Sequence, residues 1–265
     1  MSLPLWAYKL TMSPNVLLYA SASRGFKSGG FNIRANAVAV PASAKPFKDE
    51  SVDAYEVGSK MNFLDDRLFL NTALFYNKYK DVQLSVFTSY TVPNGQQGFF
   101  GDFTNAGKAH VSGAEVELAF KPAEHWTING NIAVLDAKYD EYITSNVNVA
   151  KQQRFTNAPA FQAGLNLQYD TRAGNGDLTA RVGARYQTKV YPTTDLSPVI
   201  MQNEYALLDA SVIWDIDGPW SFALNGTNLT DRAYRTTGYN IPSLGVLTGF
   251  YGAPRQVSAT ALYQF

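Results

Sequence analysis

The chain has no cysteine in 265 residues. That absence excludes disulfides, thiolate nucleophiles and cysteine-based zinc sites together. Histidine is scarce as well. His110 and His125 stand 15 residues apart, which is no helical metal-ligand spacing, so both are expected to be solvated or pore-facing and no metal site is called for. Neither charge sign dominates, with Lys+Arg 22 against Asp+Glu 22, so no basic field points to nucleic acid. No segment approaches the ~18 consecutive apolar residues of a membrane helix. The opening "MSLPLW" has no charged region followed by an apolar one, so no secretory signal is visible; the chain is either cytoplasmic or its beginning is missing.

What is abundant is aromatic: 14% of residues, with Tyr 16 and Phe 16, against 17% charged. The dominant period is two. "FQAGLNLQY" sets Phe161, Ala163, Leu165, Leu167 and Tyr169 against Gln162, Gly164, Asn166 and Gln168. "LTARVGARYQ", "WSFALNGTN" and "QVSATALYQF" repeat the split, and no helical pattern competes with it. The chain reads as all-β, with strands near 3–10, 16–23, 51–63, 67–88, 105–120, 126–140, 158–169, 178–190, 205–216, 220–228 and 254–265. The second face carries Gln, Asn, Thr, Ser and Gly with isolated charges such as Glu115, Glu117, Arg181 and Arg185. A transmembrane barrel, apolar toward lipid and polar toward its lumen, produces this pattern. A soluble sandwich also alternates, so the connections must decide. Short turns ("TMSPN", "LDD", "KPAEH", "TRAGNGD", "DGP") alternate with long loops over 24–50, 89–104, 141–157, 191–204 and 229–253. That is the plan of an up-and-down barrel with one tight rim and one elaborated rim. Aromatics near strand ends, among them Trp6, Tyr76, Trp126, Tyr139, Trp214 and Trp220, suit interfacial girdles.

Local motifs add little chemistry. "SRGFKSGG" lacks the phosphate-loop spacing and no helix follows, so Gly25, Gly29 and Gly30 are expected to turn the backbone at a strand exit. Asn225-Gly-Thr and Asn228-Leu-Thr fit the glycosylation pattern, which is common by chance. "DIDG", Asp215 to Gly218, reads as a hairpin turn rather than a calcium loop. Asp136, Asp140 and Glu141 are a weak cation candidate beside the simpler reading, a solvated loop base. No nucleophile, base and orienter emerge together, so no enzyme and no cofactor are expected.

Four blocks, "LLYASASRGFKSGGFN", "YEVGSKMNFLDDRLFLNTALFYNKYKDVQ", "NAGKAHVSGAEVELAFKP" and "NGTNLTDRAYR", resemble the TonB-dependent receptors of Gram-negative outer membranes. "YGAPRQVSATALYQF" is similar to the end of that family, terminal phenylalanine included, and the likeness runs from about Leu17 to Phe265. The resemblance implies an active importer of iron chelates, vitamin B12 or similar scarce solutes, with a barrel of about 22 strands closed around a plug domain. Here the TonB box and plug are expected to be absent, and 1–265 is expected to be a single incomplete domain, about the last eleven strands. Short turns then face the periplasm and long loops the exterior.

The partners so implied are outer-membrane lipid and lipopolysaccharide, a small ligand such as a ferric siderophore, TonB through the missing plug, and the barrel-assembly machinery. Arg24, Lys27, Arg34, Arg232 and Arg235 are candidates to attract an anionic chelate; solvating the rim or meeting lipopolysaccharide phosphates is the competing role. Tyr263 and Phe265 are implied as the assembly signal, an interfacial role being the alternative. Two other readings stay open: a passive porin-like channel, and a soluble carbohydrate-binding β-sandwich.

Overall fold

A computed structural model describes residues 5–38, 41–91, 95–105, 107–144, 147–193, 196–241 and 245–265. Leu3 and Pro4, which the sequence reading put in the first strand, lie outside these residues. Eleven strands form one antiparallel meander: β1 (Leu5–Ser13), β2 (Val16–Lys27), β3 (Glu50–Phe63), β4 (Leu68–Lys80), β7 (Gly107–Ala123), β8 (Trp126–Thr144), β10 (Phe161–Ala173), β11 (Gly176–Gln187), β12 (Tyr205–Ile216), β13 (Trp220–Thr227) and β16 (Gln256–Tyr263). The two-residue β9 (Val147–Asn148) extends the sheet beside the end of β8. Two hairpins stand apart from this sheet, β5 (Gln83–Thr91) with β6 (Gln97–Asn105), and β14 (Arg235–Ile241) with β15 (Val246–Tyr251).

The register fixes what each face carries. Leu165 lies opposite Ala184, Val182 opposite Ala210, Val212 opposite Leu224, and Phe222 opposite Ala261, so all share one face. On the other, Gln168 lies opposite Arg181, Arg181 opposite Ser211, Ser211 opposite Asn225, and Asn225 opposite Ser258. A soluble protein would bury the first face, yet Leu165, Val182, Leu224 and Val257 are 45%, 46%, 55% and 66% exposed. Among the described residues no second sheet covers it, which removes the β-sandwich. A single sheet with an open apolar face is what a bilayer completes.

Aromatic rings border that face at both ends. Near the short turns Trp220 stacks on Phe222 at 5.9 Å and meets Tyr263 at 5.0 Å, while Trp126 leans on Tyr169 at 4.8 Å. Toward the long loops Phe161 lies 6.0 Å from Tyr186. Phe161 and Tyr169 are eight residues apart on β10. At ~3.3 Å per residue they span about 26 Å along the strand. A tilt of ~35–45° reduces this to about 20 Å of height, near the ~25 Å apolar band of outer-membrane barrels. A shallow hollow of about 460 Å³ on this face is walled by Leu70, Leu118, Ile132, Ala163, Leu165 and Ala184. It would meet acyl chains, not a solute.

The polar face is shaped by glycine. A Cβ at Gly58 would lie 2.6 Å from the Tyr19 ring, and one at Gly113 would lie 2.6 Å from the Phe75 ring. Each aromatic therefore lies across a neighbouring strand's glycine, so the sheet keeps its packing where side chains are missing.

The five short connections are tight, as expected from the sequence. Gly174 in the β10–β11 turn has φ 61° and Gly218 in the β12–β13 turn has φ 142°, conformations that glycine adopts without strain. The long connections differ from expectation in four places. The loop read over 24–50 begins only after Lys27, since residues 24–27 pair with residues 50–53 as part of β2. The strand read over 67–88 breaks after Lys80, because Asp81 adopts φ 53° and β5 leaves the sheet to pair with β6. The loop read over 89–104 is thus mostly hairpin. The loop read over 229–253 contains the β14–β15 hairpin. The loop read over 141–157 begins later, since β8 runs on to Thr144, then β9 and a short 3-10 turn at Ala150–Gln152 follow.

Candidate functional site

The long-loop rim concentrates the chemistry, and it is built on the polar face. Tyr79, Ala109, Tyr139 and Tyr142 alternate with outward residues such as Lys78, His110 and Lys138. Ala109, Tyr139 and Tyr142 make a buried apolar cluster with Val82 and Ala150, against which Tyr79, Leu84, Val149 and Phe155 pack. Two of these partners, Val149 and Phe155, come from the connection after β9. That connection therefore folds inward over the lumen side. The Phe155 ring stacks on Tyr139 at 4.5 Å and Tyr139 meets Tyr142 edge-on at 5.2 Å. Asn148 Oδ1 accepts from the backbone N–H groups of Tyr142 and Ala150, both at 3.1 Å.

Two amides organise the neighbouring loops. Gln83 Nε2 donates to the carbonyls of Ser28 and Lys48, each at 3.0 Å, and Asn105 Nδ2 donates to those of Lys48 at 3.0 Å and Asp81 at 2.7 Å. They join the β2–β3 loop to the base of the β5–β6 hairpin. Asn228 does the same after β13. Its side chain donates to the carbonyls of Arg232 at 3.0 Å and Ala253 at 3.1 Å and accepts the Arg232 N–H at 2.8 Å, while its φ is 47°. At 3% exposure Asn228 is a structural clasp, which leaves its glycosylation pattern without an acceptor amide.

The five cations singled out in the sequence are not gathered at one point. Arg24 sits opposite Asp53, which sits opposite Lys78, on the same side as Val57 and Leu74, so it faces outward above the apolar band. It pairs with Asp53, whose other oxygen lies 3.5 Å from Lys80 Nζ. Lys27 ends β2 on the lumen side, opposite Glu50. Arg34 is exposed in the β2–β3 loop, its N–H bonded to Asn32 Oδ1 at 3.0 Å. Arg232 is exposed, with Nη2 3.5 Å from the Glu204 carbonyl. Arg235 binds the β11–β12 loop through Nη1, 2.9 Å from the Val199 carbonyl and 3.2 Å from that of Met201, and its Nε meets the Tyr251 hydroxyl at 3.1 Å. Of the three glycines expected at a strand exit, Gly25 instead lies inside β2 opposite Val52; Gly29 and Gly30 follow its end, where Gly30 bridges Phe47 and a Cβ at Gly29 would meet the backbone at Phe47 and Lys48.

The three acids read as a weak cation candidate are each engaged by a base. Asp136 lies 2.7 Å from Lys138, Asp140 2.8 Å from His110, and Glu141 3.2 Å from Lys108. No metal-holding group of His, Asp and Glu occurs among the described residues. At the chain end Tyr263 meets the Phe265 ring edge-on at 5.0 Å, and Phe265 is fully exposed.

One feature of the rim has no counterpart in the sequence reading. A pocket of about 290 Å³ lies where the connections after β9 and β11 meet, lined by Arg154, Phe155, Lys189 and Tyr191 with Ala137 and Ala160. Asn157 N–H donates to the Tyr191 carbonyl at 3.0 Å and ties the two connections together.

The family model for the TonB dependent receptor-like β-barrel matches residues 6–229. The chain belongs to the TonB-dependent receptor β-barrel family. It is 32% identical over 229 residues to the pesticin receptor of Yersinia enterocolitica, covering 84% of this chain and 30% of that protein. It superposes on the ferric yersiniabactin uptake receptor FyuA of Yersinia pestis with TM-score 0.81 at 24% identity, over 98% of this chain and 37% of that one. For the ferric-catecholate import receptor Fiu of E. coli the TM-score is 0.71 at 21% identity, with 98% and 34% covered. The chain thus spans about a third of the length of these relatives. Family and fold place its strands in the outer membrane of a Gram-negative cell.

Proposed function

We propose that this chain is the C-terminal part of a receptor that imports a ferric siderophore across the outer membrane. The observation that carries the reading is the inward fold of the connection after β9, where Phe155 and Val149 pack on lumen-side tyrosines. This packing gives the lumen side of the rim an ordered surface, and a receptor must hold a ligand there before transport. The names of the relatives, receptors for ferric yersiniabactin and ferric catecholate, support an iron chelate as cargo.

Residues 1–265 act as one incomplete domain. The strand order ends at β1 and β16, which do not pair with each other, so the rest of the barrel would supply their partners. Energy would come from TonB acting on a plug outside this chain, and the chain performs no catalysis. Lys27, Arg34, Arg232 and Arg235 contribute an attractive field at the rim. Arg24, with Lys78, Lys80 and Lys138 on the outward face, is set to meet lipopolysaccharide phosphates. Tyr263 and Phe265 present the last strand to the assembly machinery.

Deleting the gene for the full-length receptor and growing the strain under iron limitation on single ferric chelates tests the reading. Loss of growth on one chelate, restored by the gene and not by a TonB-deficient background, is expected. Growth that never depends on the receptor, or uptake that persists without TonB, overturns it in favour of a passive channel.

A further inference from the structure

We infer that the pocket between the connections after β9 and β11 is an anion subsite, in which Arg154 and Lys189 hold one deprotonated aromatic arm of the incoming chelate. The inference rests on the reading of the chain as part of a ferric-chelate receptor.

Position comes first. Lys189 comes two residues after Gln187, which ends the lumen-side series of β11, and Ala137 belongs to the lumen-side series of β8, so the pocket lies on the lumen side of the rim. Its walls are fixed before any ligand arrives. Phe155 is stacked on Tyr139, and Asn157 is bonded to the Tyr191 carbonyl. A wall already ordered loses little entropy on binding.

Charge decides the ligand class. Among the described residues the lining contains two cations and no acid. Neither Arg154 nor Lys189 has a carboxylate partner among the described residues. Arg154 uses Nη1 to bond the carbonyls of Lys151 at 3.2 Å and Gln153 at 2.8 Å, which orients the guanidinium on its own loop. Guanidinium forks match paired anionic oxygens, as in a carboxylate or a catecholate, and an ammonium adds a point charge. Phe155 and Tyr191 supply aromatic surface beside those charges, and Ala137, Ala158 and Ala160 leave room for a planar ring. Size limits the occupant. About 290 Å³ falls at the low end of small-molecule sites, enough for one arm of a chelate and not for a whole ferric complex.

The test compares the wild-type full-length receptor with R154Q/K189Q and with the charge-keeping R154K/K189R. The probes are iron(III) tris(catecholate), which is anionic and aromatic, and an uncharged iron(III) trihydroxamate, with iron-free 2,3-dihydroxybenzoate as competitor. R154Q/K189Q should weaken catecholate-complex binding by about tenfold or more, the scale of one lost charge-assisted contact. Trihydroxamate binding should not change, R154K/K189R should stay near wild type, and competition by the free acid should vanish in R154Q/K189Q. Both side chains are exposed, so assembly should be unaffected; if the double variant fails to assemble, K189Q alone carries the same expectation. Unchanged catecholate-complex affinity, an equal loss for both complexes, or a wild type that binds only the trihydroxamate overturns the subsite while leaving the receptor reading intact. A wild type that binds no ferric complex, with growth independent of the receptor, overturns both.

Discussion

The Phe155 ring lies parallel to that of Tyr139, with centroids 4.5 Å apart and planes 10° from coplanar. One residue belongs to an irregular connection and the other to the lumen side of β8, so this stack fixes where the loop goes. Replacing Phe155 with Ala removes the stack, worth ~0.5–1.5 kcal/mol, together with the burial of a ring. Hydrogen exchange and proteolysis should then rise over residues 147–160 while heat resistance of the barrel stays unchanged. A barrel that melts early would mean that the stack supports the strands instead.

Asn228 makes three side-chain hydrogen bonds while nearly buried and in a left-handed conformation. Asn228→Ala strands the carbonyls of Arg232 and Ala253 and the Arg232 N–H, at ~1–3 kcal/mol for each buried group left unpaired. Asn228→Asp keeps the backbone and the acceptor for the Arg232 N–H, but its second oxygen faces the carbonyls of Arg232 and Ala253 with no proton to donate, so it should cost at least as much as Ala. Exchange protection around residues 228–235 and 252–255 is the measurement, with both variants losing protection and Asp no less than Ala. Wild-type protection in both variants would make the clasp dispensable.

The eleven-strand meander was legible because its two faces differ in every strand and its short turns carry Gly, Pro, Asn and Asp. The hairpins were not. Gly238 and Gly249 interrupt β14 and β15, and both hairpins lie off the sheet, where no lipid enforces an apolar side. Between β5 and β6 the sequence "VPNG" carries Pro, Asn and Gly, a composition that long loops share with hairpin turns, so it does not mark a hairpin by itself. The break after Lys80 depends on Asp81 taking a conformation that its local sequence does not demand. Arg154 and Lys189 stand 35 positions apart, and only the folding of two connections brings them to one pocket. No local pattern encodes that meeting.

Glycines on the polar face should differ in their tolerance. A Cβ at Gly113 would meet the Val134 carbonyl and the Phe75 ring, neither of which can retreat without moving the sheet. At Gly183 the only close atoms belong to the end of the Asn166 side chain, which can swing away. Gly113→Ala should therefore cost ~1–3 kcal/mol, the usual penalty of overpacking, and Gly183→Ala less than about 1 kcal/mol. Urea unfolding of the receptor in detergent compares them. A larger loss at Gly183 would contradict the register that sets these contacts.

Phe265 should affect how much receptor is assembled rather than how it works. The ring is fully exposed beyond the end of β16 and touches only Tyr263 among the ring contacts described. Deleting it should lower the amount of heat-modifiable receptor in the outer membrane while uptake per assembled molecule is kept. Normal amounts would leave Phe265 with an interfacial role alone.

Val182 and Arg181 are neighbours on β11 that point to opposite faces, Val182 opposite Ala210 and Arg181 opposite Ser211. In the membrane the first meets lipid and the second the lumen, where Arg181 Nε bonds Gln168 Oε1 at 2.8 Å. Phe161 and Tyr169 bracket the stretch of β10 paired with β8, and Leu167, the partner of Val182, lies between them, two residues from Tyr169 and within the apolar band. An arginine at position 182 would place its charge in hydrocarbon. Position 182 lies between the midplane and the short-turn interface, so Val182→Arg should cost about 2 kcal/mol, between the ~2–4 kcal/mol of the midplane and the ~0–1 kcal/mol of the interface. Arg181→Val gives up one side-chain hydrogen bond on a wet surface, about 1 kcal/mol. Folding titrations in lipid vesicles separate the two. Equal costs would mean that the faces are not divided between lipid and lumen, and the membrane assignment of this sheet would fall with them.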